Sequence, residues 1–255
     1  MTIVLNEHEW AEEMIASRSL GKKPYETLCR VARYYLDENY GKKTVRKMLD
    51  TFLIQCDPTV SLPKWANTLD NAVNRAAKYK SIQIDGIGIT AGEMDRIRSL
   101  GKKQLERLAF TLLCLSKYWM AVNPKCDWWV NNKDSDIMKL ANINTSIKRQ
   151  STLYHELNEC GMVEFSRKVG NTNVRVCFAE EAEPEITVSD FRNLGYQYLY
   201  YTGSKDYIKC KGCGIVVRKN RSVPQEMPGH RGAEQIYCSE CSSHECWRKT
   251  RARNA

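Results

Sequence analysis

Late in the chain stands Cys210-Lys-Gly-Cys213-Gly214, and after 24 intervening residues comes Cys238-Ser-Glu-Cys241. No other feature constrains the fold as strongly. Each C-x2-C pair can present two thiolates to one ion, and four thiolates complete the tetrahedron that zinc prefers. One structural Zn2+ held by Cys210, Cys213, Cys238 and Cys241 is therefore expected. His230, His244 and Cys246 are substitute ligands, but the first falls in a polar insert and the others lie beyond the first turn of the helix that Cys238 and Cys241 open. The remaining cysteines, at positions 29, 56, 114, 126, 160 and 177, are widely spaced, and several fall on apolar stripes as small core residues do.

Eleven cysteines, together with a first stretch that lacks a basic leader and cleavage site, predict no signal peptide and a reducing, cytoplasmic setting in which paired cysteines bind metal. The apolar runs fall well short of a membrane-spanning length, so no membrane partner is expected.

The charge distribution points the same way. The chain carries a net +9, and residues 205–255 hold 11 basic and 5 acidic groups, so two thirds of the excess sits in one fifth of the length. Part of this compensates a four-thiolate zinc centre, whose formal charge is about −2. The surplus is the electrostatic footprint of nucleic-acid binding. Arg248, Lys249, Arg251 and Arg253, along the final helix and tail, are candidate phosphate contacts.

The first hundred residues read as helices. Asn6 with Glu9 forms a capping-box pattern, Pro24 opens a second helix, 44–55 a third, and Ser61 a fourth that runs to about Tyr79. Ser81 to Thr90, alternating around Asp85-Gly86, predicts a β-hairpin. Glu13-Met14, Arg18-Ser-Leu-Gly-Lys-Lys23, Glu26 and Leu28 recur 80 residues later as Glu93-Met94, Arg98-Ser-Leu-Gly-Lys-Lys103, Glu106 and Leu108. This is either a duplicated helical unit or the reuse of one helix-junction chemistry. Residues 25–80, with Tyr25-Glu-Thr-Leu-Cys-Arg-Val-Ala-Arg-Tyr-Tyr, Cys56-Asp-Pro, Ser61-Leu-Pro and Ala76-Ala-Lys-Tyr79, resemble the helical module that follows primases in phage and plasmid replication proteins. The resemblance implies a replication context and no catalytic residue.

From Thr90 the pattern changes to a capped helix, a strongly apolar helix from Leu105 to Val122, a strand at Trp128-Trp-Val130, and a short helix capped by Asp134 or Ser135. A turn at Asn142-Ile-Asn144 follows, then a helix from Thr145 or Ser146 to Cys160, and two strands flanking Arg167-Lys-Val-Gly170-Asn-Thr172. This order resembles a winged helix-turn-helix domain over about 90–180. The resemblance implies double-stranded DNA as partner, with Ser146, Lys148, Arg149 and Thr152 on the exposed face of the recognition helix and Arg167, Lys168 and Arg175 in the wing. Ile147, Leu153 and Leu157 would pack inward. Winged helices also serve as protein-interaction modules.

Residues 179–185 read as an acidic linker, and Ser189 as the cap of an aromatic docking helix, Asp190 to Tyr201. The knuckle at Cys210–Gly214, a hairpin from Ile215 returning at Glu234–Tyr237, and a terminal helix resemble a treble-clef or zinc-ribbon-like finger. The expected fold class is mainly α (α+β): a helical domain over 1–89, a winged helix-turn-helix over 90–180, a linker and docking helix over 181–204, and a zinc module over 205–255. The three Gly-Lys-Lys occurrences lack the phosphate-loop frame, neither H-E-x-x-H nor G-x-S-x-G occurs, and a closed thiolate site leaves no open coordination position, so no enzyme is expected. The expected function is DNA binding for a phage or mobile element, in replication initiation or transcription control. The alternative is an adaptor whose zinc module binds a host replication or transcription protein.

Overall fold

Leu105, Leu108, Ala109, Leu112, Leu113 and Leu115 recur around a helix with few charged interruptions, which is the pattern of a helix buried on nearly all sides. In the computed structural model this helix, α6, spans Lys103–Val122, and 12 of its 20 residues are buried. Residues 3–167, 173–220 and 235–243 are described. They divide into two compact units, Thr2–Asp85 and Gly86–Ala255, mainly helical with small antiparallel sheets.

The first unit contains α1 (Glu7–Ala16), α2 (Pro24–Asp37), α3 (Lys42–Cys56) and α4 (Leu62–Ala76). Leu28, Val31 and Ala32 of α2 meet Val45, Leu49, Phe52 and Leu53 of α3 and Leu69, Ala72 and Val73 of α4 in one core. The Asn6 side chain caps α1 by accepting from the N–H groups of His8 and Glu9. Next to it Glu7, 5% exposed, pairs with Arg30 at 3.2 Å and with Arg33, and accepts from the Ile82 N–H. That bond, with Glu7 N–H to Ile82 O and Ile84 N–H to Leu5 O, lays residues 82–84 beside residues 5–7. The hairpin expected around Asp85-Gly86 is therefore not formed. Its first arm joins the start of α1, and its second, β1 (Ile87–Ile89), pairs antiparallel with β5 (Ile186–Val188) in the second unit.

In that unit β1 leads to α5 (Ala91–Arg98), closed by a full capping box between Thr90 and Glu93. After α6 come a 3-10 turn (Pro124–Cys126), β2 (Trp129–Val130), α7 (Asp134–Leu140), α8 (Ile147–Glu159), β3 (Val163–Phe165) and β4 (Val174–Val176). The three strands form one antiparallel sheet in the order β2-β4-β3, with Trp129 opposite Arg175 and Phe165 opposite Val174. After β5 the chain makes α9 (Leu194–Tyr201) and the hairpin β6 (Tyr207–Lys209) and β7 (Val216–Arg218). α6 touches α5, α7, α8 and α9 and three of the strands, so it is the axis of this unit.

Several expectations are corrected. Lys133 precedes α7 and gives no side-chain cap, and Asp134 is already helical. α9 starts at Leu194, because Asn193 adopts a left-handed conformation and residues 186–188 are used as a strand. The acidic stretch 179–185 is built into the unit: Phe178 is buried, the Glu180 N–H donates to Glu93 at 2.7 Å, and Lys117 donates to the Glu180 carbonyl at 3.1 Å. β7 pairs with β6, not with residues 235–237 of the expected return strand, whose first residue, Glu234, lies outside the described residues. Ile147 is 84% exposed, because the first turn of α8 projects beyond the core that Leu153 and Leu157 enter.

The two copies of the internal repeat form related junctions that differ in where the first helix stops. α5 runs to Arg98 and meets a left-handed glycine at Gly101 (φ 65°), whereas α1 ends at Ala16, with Arg18, the counterpart of Arg98, already left-handed (φ 50°) before Gly21 (φ 59°); each second helix carries a Lys–Glu pair at its start, Lys23–Glu26 at 3.1 Å and Lys103–Glu106 at 2.9 Å. Beyond these junctions the units diverge, α2 continuing into α3 and α4 while α6 continues into β2.

Candidate functional site

The four predicted cysteines converge. Cys210 and Cys213 leave β6 in a tight turn closed by Gly214 in the left-handed region (φ 73°), and Cys238 and Cys241 straddle the start of a helical segment over residues 239–243. Their sulfurs all lie within 4.8 Å of one another, and Cys213 Sγ and Cys238 Sγ are 3.7 Å apart. A tetrahedron with metal–sulfur bonds of about 2.3 Å has an edge of about 3.8 Å, so the spacing fits a single ion. Backbone N–H groups point at the sulfurs: Gly212 and Cys238 donate to Cys210 Sγ at 3.4 and 3.2 Å, and Cys241 donates to Cys238 Sγ at 3.5 Å. A Cβ at Gly212 would stand 2.9 Å from Cys241 Sγ, so the turn needs glycine where the second pair closes over it.

These contacts separate the thiols electrostatically. Burial works against ionisation of Cys210, but the N–H groups of Cys238, Cys213 and Gly212 outweigh it and bring its pKa down to about 6. Burial raises Cys213, and the Cys213 and Cys238 sulfurs push Cys241 up to about 12. Four sulfurs this close cannot all ionise without a cation between them, and a metal ion supplies one. The residues fit a four-thiolate metal centre with no further protein ligand required.

The centre is tied to the rest of its unit by a polar chain that the sequence did not reveal. Arg192, held by Asp190, donates to the Cys213 carbonyl at 2.7 Å. Asn193 Nδ2 donates to the Val216 carbonyl at 3.0 Å, and its Oδ1 accepts from Asn142 Nδ2 at 3.1 Å. Asn142 Oδ1 accepts from the Tyr196 N–H at 3.1 Å, and the Asn142 carbonyl accepts from Arg107 of α6 at 3.0 Å. Both asparagines have φ of 54°, a conformation that Asn tolerates better than other non-glycine residues. The turn between α7 and α8 is thus fastened to the metal-binding hairpin. In sequence the turn at Asn142-Ile-Asn144 was readable, but Asn193 fell inside the stretch expected to be helical.

The predicted nucleic-acid contacts fall into three groups. Ser146 caps α8 by accepting from the Arg149 N–H at 3.4 Å, and Lys148, Thr152 and Arg167 are exposed, Lys148 and Arg167 with no carboxylate partner among the described residues. Arg149 and Arg175 are engaged within the unit. Arg149 pairs with Glu156 at 2.7 Å, which Lys102 also reaches at 2.8 Å, and Arg175 pairs with Asp127 at 3.1 Å and Glu164 at 3.6 Å. Lys168, Arg248, Lys249, Arg251 and Arg253, like His230, His244 and Cys246, lie outside the described residues.

Among the described residues no helix is long and apolar enough to cross a membrane. Compared with protein-family models, curated proteins and solved structures, the chain matches none of them.

Proposed function

We propose that the chain is a DNA-binding protein of the winged helix-turn-helix kind, stiffened by one structural zinc ion at Cys210, Cys213, Cys238 and Cys241. The observation that carries the reading is the order α6, β2, α7, α8, β3, β4 together with the strand order β2-β4-β3. That is the arrangement in which a recognition helix and an adjacent hairpin address duplex DNA side by side. On this reading α8 enters the major groove with Ser146, Lys148 and Thr152 outward, and the β3–β4 hairpin brings Arg167 to the backbone. Zinc is favoured among metals because four thiolates at tetrahedral spacing suit it. The work is binding and not catalysis, and a replication or transcription role for a phage or mobile element rests on the resemblance of residues 25–80 to the module after primases.

A second reading has its own support. With Arg149 of α8 and Arg175 of β4 already paired to carboxylates and Ile147 84% exposed, α8 and the β3–β4 hairpin are less basic, and the face of α8 more apolar, than the sequence implied. An adaptor that presents this face to a host replication or transcription protein would use it equally well.

Fluorescence anisotropy with a labelled duplex, across a salt series, separates the two. DNA binding predicts affinity that falls steeply with salt, with Lys148→Ala and Arg167→Ala each lowering the log–log slope by about 0.9. Arg149→Ala should have a smaller effect, because its charge is shared with Glu156. Absence of duplex binding at low salt would sink the first reading and leave the second.

A further inference from the structure

Between the start of α6, the end of α9 and the β6–β7 hairpin lies an open cleft of about 590 Å3. Among the described residues its lining carries three cations, Lys103, Arg107 and Arg218, against one acid, Asp206, and adds the hydroxyls of Ser204 and Tyr207. The cations are not equivalent. Lys103 is neutralised by Glu106, a buried carboxylate that also accepts from the Tyr198 hydroxyl at 2.9 Å. Arg107 is held by carbonyls alone, donating to Lys103 O at 3.3 Å and Asn142 O at 3.0 Å, so its guanidinium is oriented without losing its charge. Arg218 is exposed, stands opposite Tyr207 across the β6–β7 ladder, and has no carboxylate partner among the described residues. The Tyr207 ring is itself braced by Tyr196, with centroids 5.0 Å apart.

α6 adds a further donor set. Its N-cap, Lys102, makes no side-chain hydrogen bond to the first turn, so the leading N–H groups of a 20-residue helix have no side-chain acceptor there. The N-terminal end of such a helix favours an anion. Arg107, pre-set by backbone carbonyls, and the exposed Arg218 supply two guanidiniums of the kind whose fork binds phosphate oxygens.

We propose that this cleft binds a phosphate group through Arg107, Arg218 and the first turn of α6. The phosphate can belong to a nucleic-acid backbone or to a free nucleotide, and the chemistry is the same. In the first case the inference rests on the DNA-binding reading and supplies an anchor separate from α8. In the second it stands without that reading.

The test uses the full zinc-loaded chain and three probes: a 20-base-pair duplex, a single-stranded oligonucleotide and ATP. Affinities are measured for the wild type, Arg107→Gln, Arg218→Gln, Arg218→Lys and the pair Lys148→Ala/Arg167→Ala. Loss of one charge-assisted phosphate contact should weaken binding about tenfold, and for a duplex should lower the salt slope by about 0.9. Arg218→Lys should recover only part of the affinity. Arg218 is exposed and makes no contact that the fold requires, so Arg218→Gln keeps the test clear of misfolding. Dependence on Arg107 and Arg218 with a nucleic acid assigns a backbone phosphate, and the same dependence with ATP alone assigns a nucleotide. The proposal is overturned if every probe that binds does so equally well to Arg218→Gln, or if no probe binds at all. Sensitivity to Lys148→Ala/Arg167→Ala without sensitivity to Arg218→Gln refutes the cleft and leaves the DNA-binding reading intact.

Discussion

Replacing Asn193 tests whether the metal-binding hairpin and the α7–α8 turn are one mechanical piece. Asn193→Ala removes two hydrogen bonds, from Asn142 Nδ2 at 3.1 Å and to the Val216 carbonyl at 3.0 Å, each worth about 1 kcal/mol net in a partly buried setting. It also forces alanine to φ 54°, where an L-residue without a helpful polar side chain loses about 1 kcal/mol or more. The sum is about 3 kcal/mol. For a unit of this size that lowers Tm by roughly 6–12 °C, measured by calorimetry on the zinc-loaded chain. Asn193→Gly restores the backbone part and should recover about 1 kcal/mol. A double-mutant cycle with Asn142→Ala should give a coupling of about 1 kcal/mol, since the two side chains bond directly. A loss below about 0.5 kcal/mol for Asn193→Ala, the size of an ordinary surface substitution, would refute the link. An Asn193→Gly variant as unstable as the alanine variant would refute the backbone half of the estimate.

Three further perturbations address other parts of the second unit. Glu93 is fully buried and accepts from Lys117 at 2.8 Å and from the N–H groups of Thr90 and Glu180. Glu93→Gln removes the counter-charge of Lys117 and turns one acceptor oxygen into an amide NH2 that faces the N–H of Thr90 or Glu180, and should cost about 3 kcal/mol in urea denaturation, the low end for a broken buried pair, whereas a loss under about 1 kcal/mol would contradict this assignment. At Gly195 an added Cβ would stand 1.9 Å from the Ala141 carbonyl oxygen, so Gly195→Ala should cost about 3 kcal/mol or more, while Gly203→Ala (φ 81°), with open space around it, should cost only about 1 kcal/mol; equal costs would contradict the collision. Metal uptake must displace protons from the thiols held high, Cys213 and Cys241, so zinc affinity should rise with pH across 6 to 8 and loading should release protons into a weak buffer, whereas pH-independent affinity would argue against thiolate coordination.

What the sequence made legible follows from which interactions are local. The C-x2-C pairs were readable because two ligands on one turn leave little freedom, and the helices because α6 and its neighbours carry their apolar stripes in register. What failed was pairing over distance. Asp85-Gly86 is a strong local hairpin signal, yet Ile87–Ile89 finds Val188 and Ile186 about a hundred residues away, because that pairing also buries Ile89 and seats Glu180 on Glu93. Ile147 followed the helical period but sits at N1, before the helix has reached the core. The ion pairs of Arg149 and Arg175 depend on Glu156, Asp127 and Glu164. Glu156 shares α8 with Arg149, so that pair was within reach of the sequence, whereas Asp127 and Glu164 meet Arg175 of β4 only in the fold, so the expected wing looked more basic in sequence than it is.

The hydrogen-bonded chain from Cys213 to Arg107 also changes what the metal centre means for function. A metal ion held by all four thiolates would leave no open coordination position, and it would fix the knuckle on which Arg192 and Asn193 anchor. Asn193 in turn holds Asn142, whose carbonyl orients Arg107. Arg218 lies on the strand that leaves the same knuckle. Both arginines of the cleft, and the turn that sets the angle of α8, therefore depend on a hairpin too small to bury much apolar surface of its own. Small modules of this kind draw their folding energy from the ion. Metal loss should release Arg218 and loosen Arg107 while α6, which also packs on α5, α7 and α8, stays folded. Chelation would then abolish phosphate binding at the cleft before it melts the helices. Far-ultraviolet circular dichroism recorded alongside probe binding during a chelator titration distinguishes that sequence of events from a single collapse of the whole unit.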